Sequence, residues 1–372
     1  MTETFLHAPF DGADVLARIL GEAPPSRPAA LADHVLRSDP DAVRVAPAVS
    51  DGGRVAGGVV DLTEAQVERL DFVFAALGAA PAAVEVEEGG RRVAARAYRF
   101  EVAEAPREAW AADADTAECR ARRLETVTEV MGHFGRRDAE EMRRLLPGIT
   151  VRALARARGP QSGVPAVVLG SGLGAADVER AEREFSYARF FAMEEHRLRH
   201  RRFDGAMSDR LDRAVFTSGD AVTVLPYDPR RDTVLLIEQF RAGPHARLDP
   251  RPWCLETVAG RCDRSEPPEE TARREAREEA NLKLGRGERI AAYYPSPGIV
   301  AEHLTAFVGE ADLGVAGGVH GLPEEHEDIR AIVVPLAAAL AAIETGEINT
   351  APLMLSLYWL ERNAARLRAA WT

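Results

Sequence analysis

The stretch from Gly260 to Leu282, GRCDRSEPPEETARREAREEANL, constrains this chain more than any other. Five residues separate Gly260 from Glu266, seven separate Glu266 from Arg274-Glu275, and Glu278-Glu279 follow. Glu, Ala and Arg fill the run from Pro268 to Ala280, and all three are strong helix formers. On a helix Glu275, Glu278 and Glu279 stand at i, i+3 and i+4 and share one face. An ordinary Glu-rich helix leaves such a face to water. Here a glycine, an isolated upstream Glu and an Arg stand at particular intervals around it. Clustered carboxylates repel each other unless a cation neutralises them, and hard oxygen ligands suit Mg²⁺ or Mn²⁺, which usually also bind substrate phosphates. Pro268 suits the first helical position, whereas Pro267 offers no side-chain cap. Asn281 closes the helix and tolerates the left-handed conformation that a helix end favours.

The 372 residues allow two or three domains, and a hydrophobic content of 46% supports ordinary globular cores. A net charge of −12 argues against nonspecific nucleic-acid binding. No apolar run is long enough to span a bilayer, and MTETFLHAPF lacks the basic-then-apolar order of a secretory signal. Three widely spaced cysteines, Cys119, Cys254 and Cys262, fit a reduced, cytoplasmic protein without a disulfide framework or zinc site. Lys283 is the sole lysine and Ala is in excess. Compositional bias explains both, so a single Arg carries little weight as a binding signal.

Along the chain, residues 1–105 read as a small α+β unit. Asp14–Leu20 is a short helix ending at Gly21, Arg54–Leu62 a strand, and Thr63–Ala76 a helix capped by Thr63. Ala83–Glu87 and Arg91–Tyr98 form a hairpin across Glu88-Gly89-Gly90. Residues 106–184 read as a helical connecting segment, with a helix from Asp115 to Leu145 ended by Pro147-Gly148. Within it His133 is a surface residue and Ser171–Gly174 a plain turn. From 185 to 372 strands dominate: Phe190–Phe203, Ala221–Tyr227, Thr233–Phe240, Trp253–Val258, Ile290–Tyr294, Ala301–Val308 and Ile329–Pro335. A closing helix covers Ala351–Arg368. Strands on both sides of one helix, with a second helix at the end, fit an α/β/α sandwich. Trp253 and Phe240 are read as core.

The Gly260–Leu282 spacing resembles the Nudix box of Nudix hydrolases, with Asn281 where that family has Gly. The segments FDGAMSDRLDRAVF, DAVTVLPYDPRRDTVLLIEQFRAG, PWCLETVAGRCD, YYPSPGIVAEHLTAF and HGLPEEHEDI resemble the ADP-ribose pyrophosphatase branch. The resemblance implies the Nudix α/β/α sandwich, so the chain as a whole is α/β with an N-terminal α+β domain. It implies metal ligands at Glu275, Glu279 and the Ala259 carbonyl, with Glu278 completing the acidic face. Glu266 and Arg274 would tie the loop to the helix. In the acidic loop Gly321–Asp328, Glu325 matches the general base and Glu327 a further metal contact, within a register of one or two residues that leaves Glu324 and Asp328 open. Arg241 matches a substrate-phosphate contact, and Ser296-Pro297-Gly298 with Glu302 a segment near the terminal ribose. The branch further implies a homodimer exchanging strands of Phe185–Phe203.

These expectations describe a metal-dependent hydrolase cutting ADP-ribose to AMP and ribose 5-phosphate. Two alternatives stay open. One changes the nucleotide sugar, to GDP-mannose for example; the other is a module that senses ADP-ribose without turnover. The N-terminal residues distantly resemble the gamma-glutamylcyclotransferase-like fold, with Phe74 where that family carries its catalytic Glu. That resemblance implies a degenerate copy serving packing or recognition.

Overall fold

The computed structural model describes residues 1–39, 43–100, 108–110, 115–161, 167–263, 265–314, 316–320 and 328–372. They divide into two compact units, Met1–Ser218 and Gly219–Thr372.

The first unit opens with β1 (Thr2–His7), α1 (Ala13–Leu20), β2 (Ser26–Ser38), β3 (Val45–Leu62), α2 (Glu64–Ala76), β4 (Ala79–Glu88), β5 (Arg91–Phe100) and β6 (Glu108–Ala109). The strands run β3-β1-β5-β4-β2-β6, and a further β3–β2 pairing closes five of them on themselves. Adjacent residues point to opposite faces of a strand. Phe5 therefore joins Leu31, Val55, Val59 and Val86 in one core, while Leu6 joins the residues of α1 and α2 in another. The expected hairpin forms between β4 and β5. Thr63 caps α2 in a full capping box with Gln66. Phe74 is buried and stacks on Tyr98 with centroids 4.0 Å apart.

Next come α3 (Ala117–Met131) and α4 (Ala139–Arg158). The expected end of helix at Pro147-Gly148 is wrong, because α4 runs through Pro147. A proline inside a helix forfeits one hydrogen bond and crowds one carbonyl. Burial of Met142 before it and of Ile149, Val151, Ala153 and Leu154 after it outweighs that cost. The real break lies at 132–138, between a left-handed Gly135 and the Asp138 cap of α4. His133 sits in this break and is buried, contrary to the surface placement expected. Burial lowers its pKa to about 4, and its ring lies 5.3 Å from Phe185.

The unit ends in an antiparallel sheet of β7 (Val178–Ala188), β8 (Ala192–His200) and β9 (Leu211–Thr217). Charge fastens this sheet to α3 and α4. Arg152 and Glu129, both inaccessible, pair with each other, and Arg156 bridges Glu129 to Glu194 on β8.

The second unit contains β10 (Ala221–Asp228), β11 (Thr233–Phe240), α5 (Ala242–Ala246), β12 (Trp253–Glu256), β13 (Val258–Arg261), α6 (Pro268–Ala280), β14 (Gly287–Tyr293) and β15 (Leu304–Glu310). It is completed by β16 (Gly318–His320), β17 (Ile329–Pro335), α7 (Leu336–Glu344) and α8 (Ala351–Trp371). Its sheet runs β14-β15-β10-β11-β17-β16, with β12 beside β11 and β13 beside β10. Only β10 and β15 pair in parallel among the pairings described.

Alternation sorts the core into two layers. Val222, Val224, Leu235, Ile237, Ile329 and Ala331 pack with α6. Leu225, Tyr227, Val234 and Leu236 pack with α7 and α8. The result is the expected α/β/α sandwich.

Candidate active site

The site is built on α6, which occupies the residues that the spacing predicted. Pro267 makes no side-chain cap, and Asn281 is left-handed at φ 49°. Two hydrogen bonds close the helix, from the Asn281 N–H to Arg277 and from the Leu282 N–H to Ala276. Thr271, Ala272, Ala276 and Ala280 form its buried stripe. Their small size lets the helix lie close to the sheet and brings the flanking carboxylates to the backbone of β13.

Arg274 organises those carboxylates. Its Nε donates to Glu266 at 3.2 Å, its Nη1 lies 2.8 Å from both Glu275 and Glu278, and its Nη2 reaches Asp263 at 3.4 Å. The Thr271 hydroxyl also donates to Glu266, at 3.0 Å, so the loop is tied to the helix twice. Glu279 is buried and accepts a hydrogen bond from the Ala259 N–H at 3.0 Å.

Glu275 lies flat against Gly260, where any Cβ would come within 2.0 Å of its side chain. The glycine that opens the spacing is thus required for the close approach of a carboxylate, a reason the sequence did not disclose. Burial, reinforced by Glu278 and Asp263, outweighs the opposing Arg274 and raises the Glu275 pKa to about 7. A carboxylate held so far above its usual value is one that a cation would readily discharge.

Glu275, Glu278 and Glu279 share the helix face as expected, yet no three His, Cys, Asp or Glu side chains converge as a metal cage among the described residues. The donors are all hard oxygens and fit a hard divalent ion in kind. In an extended strand a residue's N–H and C=O leave on the same side. The Ala259 N–H meets Glu279, so the Ala259 carbonyl faces the same cluster. Glu275, Glu279 and that carbonyl are the groups that would hold the ion.

The remaining expected residues are distributed as follows. Glu324, Glu325 and Glu327 lie outside the described residues, and Asp328 precedes β17 exposed to solvent. Arg241 follows β11 and its Nε donates to Glu256 at 2.7 Å. Ser296 accepts from the N–H groups of Ile299 and Val300 in a turn that carries Gly298. Glu302 stands close enough to add to the burial that pushes the Tyr293 hydroxyl up to about 12.

Trp253 and Phe240 are not core. They are 58% and 46% exposed and meet edge to face, with centroids 5.5 Å apart. They pair across β11 and β12 outside both apolar layers, and Phe240 also meets His245 of the short α5, with centroids 5.6 Å apart. Glu256 and Gln239 are polar residues on the face of β11 and β12 that carries Ile237. Their signal in the sequence is an acid and an amide where alternation calls for apolar residues.

The chain is similar to proteins of a known family. The NUDIX domain family matches residues 217–355. The ADP-ribose pyrophosphatase of Escherichia coli (strain K12) is 41% identical over 198 residues, 53% of this chain and 94% of that protein. The ADP-ribose pyrophosphatase of Haemophilus influenzae is 35% identical over 52% of this chain and 91% of its own length. The GDP-mannose pyrophosphatase of Citrobacter koseri is 35% identical over 42% of this chain and 80% of its own length.

Proposed function

The chain belongs to the Nudix hydrolases, and on that premise we propose that it hydrolyses the pyrophosphate bond of ADP-ribose to give AMP and ribose 5-phosphate, using Mg²⁺ or Mn²⁺. The observation that carries this reading is the arrangement on α6. One Arg274 orders Glu266, Glu275 and Glu278, Gly260 cradles Glu275, and Glu279 is turned to Ala259. The relatives supply the substrate class, since the two ADP-ribose pyrophosphatases are matched over nine-tenths or more of their length.

In this reading Glu275, Glu279 and the Ala259 carbonyl hold the divalent ion, and Glu327 adds a further contact. When bound, the ion would screen the phosphate oxygens and make the attacking water more acidic. Arg274 keeps the carboxylates in register. Arg241 presents its fork to a phosphate, while Gly298 and Glu302 line the terminal ribose. Glu325 takes the proton of the attacking water, and Glu278 supports the charge of the acidic face. Water adds in line to one phosphorus as the bridging oxygen leaves with the other.

A match of 198 residues is longer than Gly219–Thr372. That length supports our proposal of a Nudix domain from about 185 to 372, preceded by a connecting segment at 106–184 that contains α3 and α4 and by a separate N-terminal domain. We further infer a cytoplasmic homodimer exchanging Phe185–Phe203, which light scattering checks.

The test is turnover by the full-length protein with Mg²⁺ on ADP-ribose, GDP-mannose and NADH, with products separated by chromatography. AMP appears fastest from ADP-ribose and disappears in Glu279→Gln. GDP-mannose consumed fastest would favour the second reading, which rests on the Citrobacter relative. Tight ADP-ribose binding without turnover would make the chain a sensor. Hydrolysis unchanged in Glu279→Gln would remove the site from α6.

A further inference from the structure

The chemistry proposed above uses Arg241 but not the two polar side chains beside it. β12 lies antiparallel to β11, with Glu256 opposite Ile237 and Cys254 opposite Gln239. Ile237 packs in the layer that faces α6, so Gln239 and Arg241, at two-residue steps, share that face. Glu256, directly opposite Ile237, shares it too, three residues before the Ala259-Gly260 pair that meets Glu279 and Glu275.

The Glu256 carboxylate is mostly buried, and burial raises its pKa despite the opposing charge of Arg241. It takes the Arg241 Nε–H at 2.7 Å. That single bond fixes the guanidinium plane, and the two outer nitrogens remain on a side chain that is 42% exposed. Gln239 is more than nine-tenths buried, and its Nε2 is a buried donor with no hydrogen-bond partner among the described residues. It lies near enough to Glu256 to ease that charge, yet it makes no well-formed bond to it. A buried donor left unmet costs about 1–3 kcal/mol, which an acceptor brought in by a ligand would recover.

We propose that Glu256 is a positioning residue that aims the outer nitrogens of Arg241 at a substrate phosphate, and that the Gln239 amide supplies a second donor to the same anionic group. This rests on the nucleotide-sugar reading of the site and adds to it the device that orients the phosphate clamp. A flexible Arg loses rotamer freedom each time it binds, whereas one already tied through Nε does not. Glu256 therefore serves substrate affinity, and the carboxylates of α6 keep their own function without it.

The experiment measures KM and kcat for ADP-ribose, the dissociation constant of ADP-ribose by calorimetry, and Mn²⁺ affinity. The proteins are wild type, Glu256→Gln, Glu256→Asp, Gln239→Leu, Arg241→Ala and the double variant Glu256→Gln/Arg241→Ala. Glu256→Gln should raise KM and the dissociation constant about tenfold, the worth of one hydrogen bond to a charged group. Its kcat and Mn²⁺ affinity should stay near wild type, and Glu256→Asp should recover part of the loss. Gln239→Leu should weaken binding without changing Mn²⁺ affinity. The double variant should be no worse than Arg241→Ala alone, because Glu256 acts through that side chain.

A full-sized Glu256 effect in the Arg241→Ala background would overturn the proposal, as would unchanged affinity in Glu256→Gln. If wild type neither binds nor cleaves ADP-ribose, the underlying reading fails and this proposal with it. Wild-type turnover with indifferent Glu256 variants sinks the proposal alone.

Discussion

At the scale of single residues the site depends on where charge is stored. Glu275 is pressed against Gly260 beside Glu278 and Asp263, and burial holds its pKa at about 7 against an ordinary 4.5. The fold thus keeps a proton that the unfolded chain releases. Its contribution to stability is full below pH 4.5 and is lost as pH rises through 7, a change on the order of 3 kcal/mol at most. The metal-free second unit should therefore melt at a progressively lower temperature between pH 5 and 8. A divalent ion replacing that proton should restore more at pH 8 than at pH 5. Thermal melts in chelator, with and without added Mg²⁺, check this. Glu275→Gln carries no titrating group there and should flatten the slope, so an equal slope in that variant would place the effect elsewhere.

At the scale of elements the end of α6 offers the next prediction. Asn281 takes the left-handed conformation that a side chain with a Cβ normally resists. Asn281→Ala should cost about 1–2 kcal/mol, while Asn281→Gly should hold or gain a few tenths. Urea unfolding read on the second unit separates the two, and equal midpoints would show that the closing bonds of the helix do not depend on this residue. That α6 was legible to the residue follows from the same physics. A helix whose first position is proline, whose buried stripe is small and whose end needs a left-handed residue writes its limits in residue types.

Other elements were less legible because their determinants are distant in sequence. β1 and β2 draw their order from pairing with β3, a partner up to 60 residues away, and neither was read as a strand. Pro147 looked like a terminator, but the apolar residues on both sides of it are buried and carry α4 through. Trp253 and Phe240 have core-like chemistry, and only the position of the strand ends beyond both helical layers leaves them open to solvent. Glu256 escaped attention because its meaning appears once β12 is laid beside β11.

At the scale of the whole molecule the question is what the chemistry requires of the first unit. Among the described residues the two apolar layers of the second unit are built from residues between Val222 and Trp371. The β7–β9 sheet stands differently. The ADP-ribose pyrophosphatases are matched over a length that must include part of it. In this chain it is fastened to α4 through Arg156, which with His196 outweighs burial and holds the Glu194 carboxyl at about 2. A chain beginning at Val178 keeps that sheet and loses Arg156. Glu194 then returns toward its ordinary pKa in water, which removes a pair but leaves no buried charge behind. A chain beginning at Gly219 loses the sheet altogether. We therefore expect 178–372 to hydrolyse ADP-ribose at a rate comparable to full length, and 219–372 to fold yet fall far short of it. Circular dichroism confirms folding in each case, and steady-state kinetics with Mg²⁺ supplies the comparison. A folded but inactive 178–372 would mean that the closed β-sheet or the α3–α4 pair contributes directly to turnover. Full activity in 219–372 would instead confine the chemistry to the sandwich and make the β7–β9 sheet a device for assembly.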